Sequence, residues 1–462
     1  MKKEQNDIIS SLYQPTNESK RLPPEWKSLV GGFLVEFVMG TFTLWGIVGP
    51  YIASYLRLSS DTITIKEASV IYPIIAVSAS FARIISKKVV DRIGFNIALR
   101  GSLIIMSASL GVASFIDSFV PFVFLFAVIP GIMGGIGTIL PVWAAWEAIP
   151  RRRGLASGLT TAGFGFGSFL LGLISQFVAN PENLQADIVG PDGQNYFDYH
   201  VANRVPWLLR VLSGFVLVFG LGGSCFVSDP LKQRVPADYY LSFPPSDEDS
   251  TKGDNDVKLQ STGNVHPVDI KFRQAIKTKN VWILAVLTLL MTIPLNFVAS
   301  TFKFYAENKP NLNNDVYLTT LAALGSVLSC FTKIGWGHWN DLTSFRFTFG
   351  LLILIEAISL SLLALLAESS KMLYLVIIDL ILICFGGVYV LLPTICSKIY
   401  GNKTGTQIYG VIDSFMSFGS VVQYFCLSIF LDILNFDCLL YVMAALAAAS
   451  LLFHVFFFTE KL

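Results

Sequence analysis

Long apolar runs alternate with short polar segments along most of this chain. From Val30 to Phe458, windows of about 20 mostly apolar residues recur, which is the length that an α-helix needs to cross a bilayer. The pattern predicts twelve membrane-spanning helices. Their approximate ranges are 26–55, 68–88, 95–115, 119–149, 154–178, 205–227, 281–305, 318–336, 347–367, 372–400, 406–434 and 438–458.

One stretch of the chain occurs twice at a constant offset. The first copy runs from Gly134 to Ser168 and the second from Gly386 to Ser420, so that 386 − 134 = 420 − 168 = 252. A register without gaps indicates a duplication, whereas shared apolar composition would match only scattered letters. We therefore predict an all-α integral membrane protein made of two pseudo-symmetric bundles of six helices. The coinciding residues are Gly134/Gly386, Gly135/Gly387, Leu140/Leu392, Pro141/Pro393, Gly158/Gly410, Phe166/Phe418, Gly167/Gly419 and Ser168/Ser420.

Polar segments divide the chain around these bundles. We expect a polar tail over residues 1–25, the first bundle over 26–228, a linker over 229–280 and the second bundle over 281–462. The linker is too polar to bury a core of its own. Twelve crossings put both termini on one side of the membrane. That side carries roughly 24 Lys and Arg against about seven on the other, so the positive-inside rule places both termini in the cytosol.

Composition fits a membrane protein and narrows its chemistry. Of the 462 residues, 53% are hydrophobic and 14% are charged, and the mean hydropathy is +0.61. Soluble domains are less apolar and more charged. A net charge of +1 gives no indication of a nucleic-acid partner. The four histidines and six cysteines lack the spacing of a metal or catalytic site, so we expect no metal, no cofactor and no enzymatic activity.

The turn after the second predicted helix carries a motif, Asp91-Arg92-x-Gly94. It resembles the loop signature of the major facilitator superfamily, and Gly337 and Asp341 fit the same pattern in the second half. The resemblance implies the twelve-helix fold of that superfamily and a gating function for these loop residues. An acidic side chain near a helix N-terminus is stabilised by the helix dipole, by about 0.3–1 kcal/mol. Such contacts could hold the two halves together in one state and release them in another.

A second group of motifs resembles one branch of that superfamily, the oxalate:formate antiporters, which are close to the monocarboxylate transporters. The resemblance implies a secondary transporter of a small organic anion, most simply a monocarboxylate, that works by alternating access. Proton symport and anion exchange both remain open. The motif residues are Trp45-Gly46, Pro141, Arg153-Gly154-Leu155-Ala156-x-Gly158, Gly163-Phe164-Gly165, Arg204-Val205-Pro206 and Tyr409-Gly410.

Two cationic residues at membrane depth are the candidate substrate contacts, since each costs roughly 2.5–3.5 kcal/mol to insert and needs a purpose. Arg83 and Lys333 hold equivalent places, eight residues before the aspartate of each loop motif (91 − 83 = 341 − 333 = 8). The family resemblance implies that Lys333 binds the substrate carboxylate, and Arg83 could assist it. Met416 stands where that branch carries a second cation, which disfavours a doubly charged substrate. Alternatively, either side chain could reach back to the cytosolic interface.

Acidic residues in the same helices are candidate proton carriers. Glu36 lies about ten residues into the first predicted helix and Asp413 about seven into the eleventh. The resemblance places both helices at the central cavity, where a carboxyl group could carry a proton; the alternative is a structural ion pair. Asp379 is expected to be exposed to water near the outer end of the tenth helix, and Glu356 has no predicted function.

Aromatic side chains could complete the substrate site. Trp45 and Tyr389 are candidates to shape the cavity, although single aromatic residues in membrane helices also serve in packing. The candidate residues together predict three partners: a small organic anion, protons and the lipid bilayer. We expect a monomer in the plasma membrane, with an organelle membrane as the alternative.

Two other functions are compatible with the sequence. Acidic residues outnumber basic ones at membrane depth, which would suit a cationic or zwitterionic substrate with Asp413 as its counter-ion. The second loop motif has Leu342 and Ser344 in place of the Arg and Gly, and Met416 replaces a family cation. Those losses would suit a receptor or structural membrane subunit that no longer transports.

Overall fold

The structure is a computed structural model. It describes residues 24–60, 63–182, 184, 186, 188–190, 195–232, 271–307, 309, 311–312, 315–366, 369–426 and 436–458. The predicted tail, apart from its last two residues, and residues 233–270 of the predicted linker lie outside the described residues.

Helices account for nearly all of the first half. A four-residue helix (Ile65–Ala68) precedes α3, and another (Tyr199–Ala202) precedes α7. The main helices are α1 (Pro24–Met39), α2 (Trp45–Arg57), α3 (Ile71–Ile93), α4 (Phe95–Ala113), α5 (Phe119–Ala148, with a π-helical turn at Phe124–Val128), α6 (Arg153–Ala179) and α7 (Val205–Phe215, continued by a π-helical turn at Val216–Gly220 and by Leu221–Ser224).

The second half repeats the arrangement after a short helix (Phe272–Ala275). Its helices are α8 (Lys279–Glu307), α9 (Asp315–Leu342), α10 (Phe345–Leu366), α11 (Lys371–Tyr400), α12 (Asn402–Phe425) and α13 (Phe436–Phe457). In the described ranges, eight helices are long and apolar enough to cross a membrane, or nine if α1 and α2 form one bent span. The predicted all-α membrane fold is therefore confirmed.

The first predicted helix is broken rather than continuous. Residues 40–44 form a 3-10 turn, and the axes of Trp26–Phe42 and Ile47–Arg57 differ by 49°. Gly40 lies so close to α6 that a Cβ atom there would be 2.5 Å from the Ser168 nitrogen. The Thr41 hydroxyl donates to the Val38 carbonyl at 3.0 Å. A hydroxyl that bonds a carbonyl one turn back commonly bends a helix, and here it does so at a close helix contact.

The predicted polar loop after α6 contains regular structure. Strand β1 (Ile188–Val189) pairs antiparallel with β2 (Asn195–Tyr196). The Arg57 guanidinium lies 4.2 Å from the Tyr196 ring centroid, and the Phe197 N–H donates to the Ser54 hydroxyl at 3.0 Å. The strand pair thus packs on the end of α2. Strands of two residues are too short to show an alternating pattern, which is why the sequence predicted only a loop.

Glycines of the duplicated stretch allow close helix contacts within each half. A Cβ atom at Gly135 of α5 would lie 2.2 Å from the Ala79 oxygen of α3. In the second half, a Cβ atom at Gly386 of α11 would lie 2.6 Å from the Ser329 hydroxyl of α9. Small residues allow such close helix packing in membranes. Helices α3 and α9, which carry Arg83 and Lys333, thus each pack closely on a glycine of the duplicated stretch.

A glycine with a positive φ angle stands at one junction of each half. Gly94 of the first loop motif has φ +86° between α3 and α4, and Gly401 has φ +80° between α11 and α12. Glycine adopts this backbone conformation without the steric penalty that other residues meet. The motif glycine therefore has a local structural purpose in addition to any gating function.

Candidate functional site

The two halves meet along two helix pairs that the internal repeat relates. A Cβ atom at Gly158 of α6 would lie 2.6 Å from the Lys333 oxygen of α9. A Cβ atom at Gly410 of α12 would lie 2.6 Å from the Ile84 nitrogen and 2.8 Å from the Arg83 carbonyl carbon of α3. Gly158 and Gly410 correspond in the repeat, since 410 − 158 = 252, and Arg83 and Lys333 hold equivalent places before the two loop motifs, since 333 − 83 = 341 − 91 = 250. Each glycine thus lets the opposite half bring its cation to the interface.

A cavity of about 100 Å³ lies between the halves. It has room for several waters or a small solute, since about 10–15 Å³ suffices for one water. Its charged lining residues are Glu36, Arg83, Lys333 and Asp413, so the structure brings together the four charged residues that were predicted to bind substrate or carry a proton. The polar and aromatic lining that we did not predict includes Phe42, Tyr72, Thr138, Thr161, Phe164, Asn296, Tyr409, Ser417 and Ser420.

Arg83 and Asp413 form an ion pair across the interface. The Arg83 Nη1 group donates to Asp413 Oδ2, and its Nε group donates to the Thr138 hydroxyl at 3.3 Å. The Asp413 side chain is only 3% exposed. The Arg83 side chain therefore points into the cavity and does not reach back to the membrane surface. Its charge is neutralised by a carboxylate of the opposite half.

Lys333 is the equivalent cation, but its surroundings differ. Its Nζ group donates to the Thr161 carbonyl at 3.4 Å and lies 5.0 Å from the Phe164 ring centroid. The residue is 4% exposed, and it makes no ion pair with any described residue. A buried ammonium group without a carboxylate partner is costly unless a ligand compensates it. Of the two cations that line the cavity, Lys333 is thus the one available to bind an anion.

Glu36 of α1 faces the same cavity. It is 2% exposed, and within the described ranges its Oε1 atom has no hydrogen-bond partner. It interacts electrostatically with Lys333 and, more weakly, with Arg83. Of the two acidic lining residues, Asp413 is held in an ion pair, whereas Glu36 forms none with the residues that the structure describes. Glu36 is therefore the carboxyl group better placed to exchange a proton with a solute or with water.

The two predicted aromatic contacts have different positions. Tyr389 lines the cavity, and its ring is stacked on Phe164 with 6.5 Å between centroids. Trp45 does not line the cavity but packs on the cluster of Ala53, Ala68 and Tyr196. The bend between α1 and α2 explains this difference, because it leaves Phe42 at the cavity and carries the next turn of the chain toward the strand pair.

Two acidic residues outside the cavity are buried in the second half. Asp379 was expected to be exposed, but it is only 4% exposed and that prediction is wrong. Helix α9 covers it: a Cβ atom at Gly325 would lie 3.1 Å from Asp379 Oδ1. Glu356 of α10 is fully buried and does not line the cavity. Neither residue belongs to the candidate site.

The loop acid of the second half bridges the two halves. We call this end of the molecule, where the α3–α4, α5–α6, α9–α10 and α11–α12 junctions lie, the basic-loop side. The Asp341 carboxylate accepts hydrogen bonds from the Gly154 and Leu155 N–H groups, at 3.0 and 2.7 Å, and pairs with Lys398 at 3.3 Å. These N–H groups belong to the first turn of α6, where they lack partners within the helix and the dipole favours an anion. Arg153 adds a 2.7 Å bond to the Ser397 carbonyl.

The loop acid of the first half makes no such contact with the described part of the chain. Asp91 is half exposed and pairs at 2.8 Å with Lys87, one turn earlier in the same helix. The structure therefore does not place Asp91 at a helix N-terminus, and Arg92 beside it is exposed. In this conformation the loop acid of the second motif joins the halves, while Asp91 and Arg92 of the first motif are exposed.

Asp341→Asn is expected to loosen the basic-loop side. The substitution removes the charge that the α6 dipole and Lys398 stabilise, which is worth about 0.3–1 kcal/mol for the dipole alone. We expect Cys396, which is fully buried and directly precedes Ser397 in α11, to react with a membrane-permeant maleimide roughly two- to fivefold faster, as follows from that energy. Mass spectrometry resolves the site of labelling. Asp91→Asn is the matched control, and equal rates in both variants would contradict the bridging function of Asp341.

The sequence comparison agrees with this architecture. The profile of the Major Facilitator Superfamily matches residues 30–422. The chain belongs to the major facilitator superfamily, and is thus an integral, multi-pass membrane protein of a transporter family and not an enzyme. The resemblance found in the loop motifs is therefore confirmed.

Individual known proteins add detail. The chain is 24% identical over 443 residues to apicoplast pyruvate carrier 1 of Toxoplasma gondii, covering 83% of this chain and 80% of that protein. It is also 26% identical to apicoplast pyruvate carrier 2 of the same organism, over 99 residues and 15% of that protein. The crystal structure of the human organic anion transporter MFSD10 (TETRAN) superposes with a TM-score of 0.65, covering 94% of this chain and 100% of that one. At 12% identity, that last likeness shows the fold alone.

Proposed function

We propose that this transporter carries a small monocarboxylate through the central cavity, with Lys333 as the contact for the carboxylate. One observation supports this most directly: two cations face the cavity, and among the described residues only Arg83 is neutralised by an ion pair. Lys333 has a carbonyl and an aromatic ring as its neighbours, so a substrate carboxylate would supply its missing counter-charge.

The similarity to two pyruvate carriers supports the substrate class. Pyruvate is a monoanion at neutral pH, and its methyl group would suit the aromatic wall formed by Phe164 and Tyr389. The cavity volume of about 100 Å³ is compatible with a solute of that size. Pyruvate is therefore our first choice of test substrate.

Alternating access would proceed by rocking of the halves about the cavity. In this conformation the basic-loop side is held by Asp341, Arg153 and Lys398, all of which make contacts that water could replace. Gly158 and Gly410 make the backbone contacts nearest to the two cations. Opening the basic-loop side would part these contacts and expose Lys333 from that side.

Glu36 would couple transport to protons. When Glu36 carries a proton, the positive charge of Lys333 is left for the substrate, so that anion and proton would move together as a neutral pair. When Glu36 is ionised, it would compensate Lys333 and permit the empty carrier to return. Exchange of one anion for another, without a proton, is the alternative mode.

Uptake of labelled pyruvate into proteoliposomes tests both parts of the proposal. With an acidic exterior we expect wild-type proteoliposomes to accumulate pyruvate to a higher concentration inside than outside. Glu36→Gln should abolish accumulation but retain exchange of internal for external pyruvate, because glutamine mimics the protonated acid. Glu147→Gln, at a half-buried position outside the cavity lining, is the control. A wild type whose uptake ignores the gradient would exclude the proton function, and one that takes up no pyruvate would exclude the substrate.

A zwitterionic substrate is the second candidate. Glu36 and Lys333 are one acid and one base in the same cavity, and neither forms an ion pair with a described residue. They could bind an amino group and a carboxylate together. Competition of labelled pyruvate uptake by a small amino acid, but not by acetate or lactate, would favour this reading.

A further inference from the structure

We infer that Asp413, by neutralising Arg83, makes the carrier select substrates with one negative charge over substrates with two. The inference rests on the proposed transport of a monocarboxylate. It concerns selectivity: when Glu36 is protonated, the cavity would offer one uncompensated cation with Asp413 present and two without it. Asp413 would act through Arg83 and would not itself touch the solute.

The internal repeat identifies the asymmetry. Asp413 of α12 corresponds to Thr161 of α6, since 413 − 161 = 252. Each lies against the cation of the opposite half: Asp413 against Arg83, and Thr161 against Lys333. The first contact is an ion pair, whereas the second is a hydrogen bond of 3.4 Å to a backbone carbonyl. Two equivalent cation positions thus differ by one carboxylate.

Arg83 would be ready to bind a carboxylate once Asp413 is removed. Its Nε group is held by Thr138, which would keep the planar guanidinium oriented, and the Nη1 group would be released. A guanidinium held in this way can bind a carboxylate through two parallel hydrogen bonds. Arg83 and Lys333 project from opposite halves into one cavity, which would then suit an anion with a carboxylate at each end. Glu36 is unchanged in this comparison, so the added charge is the same whether Glu36 is protonated or not.

Competition in proteoliposomes tests the inference. Uptake of labelled pyruvate is measured with malonate and succinate as competitors, in the wild type and in Asp413→Thr, which copies the residue at the equivalent position. Dicarboxylates should inhibit the variant at concentrations about ten- to a hundredfold lower than the wild type, the range expected for a hydrogen bond to a charged group. The double variant Arg83→Met/Asp413→Thr lacks the released cation, so its dicarboxylate inhibition should return to the wild-type level.

A purely structural ion pair would give another result. Asp413→Thr would then lose stability and uptake together, with no change in the ratio of dicarboxylate to monocarboxylate inhibition. A variant that still takes up pyruvate but ignores dicarboxylates would overturn the inference. Failure of the proposed function would give a different result, because the wild type itself would then take up no pyruvate.

A second variant keeps the test decisive, because removing one member of a buried ion pair can prevent folding. Thr161→Asp places a carboxylate beside Lys333 and would reproduce there the ion pair that Arg83 forms with Asp413. Relative to Thr161→Asn, which has the same shape without the charge, it should lower pyruvate uptake by roughly tenfold or more. Equal uptake in these two variants would overturn the inference even if Asp413→Thr does not fold.

Discussion

Lys333→Met is expected to lower pyruvate uptake by two to three orders of magnitude. Removing one member of a buried charge pair costs about 3–5 kcal/mol, and in this variant the substrate carboxylate would be left buried without its cation. Methionine is unbranched, flexible and similar in length, so it can fill the same space against Phe164. Loss of uptake would therefore report the charge rather than a cavity in the packing.

Two further variants separate charge from position. Lys333→Arg keeps the charge and should retain part of the uptake. Lys88→Met makes the same chemical change at an exposed position of α3 and should leave uptake as in the wild type. If Lys333→Met transports as well as Lys88→Met, Lys333 is not a substrate contact and the proposed function loses its main support.

Gly337→Ala is expected to have the second-largest effect. A Cβ atom at Gly337 would lie 2.1 Å from the Gly154 oxygen and 2.7 Å from its carbonyl carbon, so α6 and α9 would have to move apart. Overpacking of this kind costs about 1–3 kcal/mol. Asp341 lies one turn further along α9 and bonds the Gly154 N–H, so the displacement should weaken that bridge as well. We expect a lower unfolding temperature and a roughly tenfold loss of pyruvate uptake, as that energy implies.

The control for this substitution lies two residues away. Gly335 is in the same helix, but a Cβ atom there would have no other atom within 4 Å. Alanine is also favoured over glycine in a helix by about 1 kcal/mol. Gly335→Ala should therefore leave both the unfolding temperature and the uptake unchanged or slightly raised. If the two variants behave alike, close approach at Gly337 does not matter for the interface.

Much of the fold could be predicted because length and hydropathy identify membrane helices in a sequence. The duplicated stretch predicted two equivalent halves, and the distance of Arg83 and Lys333 from the loop motifs predicted that the two cations are equivalent. Both conclusions depend only on spacing along the chain. The same register pairs Asp413 with Thr161, a signal that was present in the sequence and that we did not use.

Other features depend on neighbours that spacing does not reveal. The ion pair between Arg83 and Asp413 joins residues 330 positions apart, on helices whose contact only the folded structure shows. Trp45 was a candidate to shape the cavity, but the break before it in the chain carries its side chain toward the strand pair. Asp379 was judged from its depth in its own helix, whereas Gly325 of a different helix lets that helix cover it.

The unequal pairing of the two cations has a consequence for the origin of the chain. A symmetric ancestor assembled from two identical halves could carry two free cations or two neutralised ones, but never one of each. Every change at such a site would have altered the charge of the pore by two. Unequal pairing therefore requires two halves that can change separately, as they can in this chain, where a single codon, at Asp413 or at Thr161, can diverge alone.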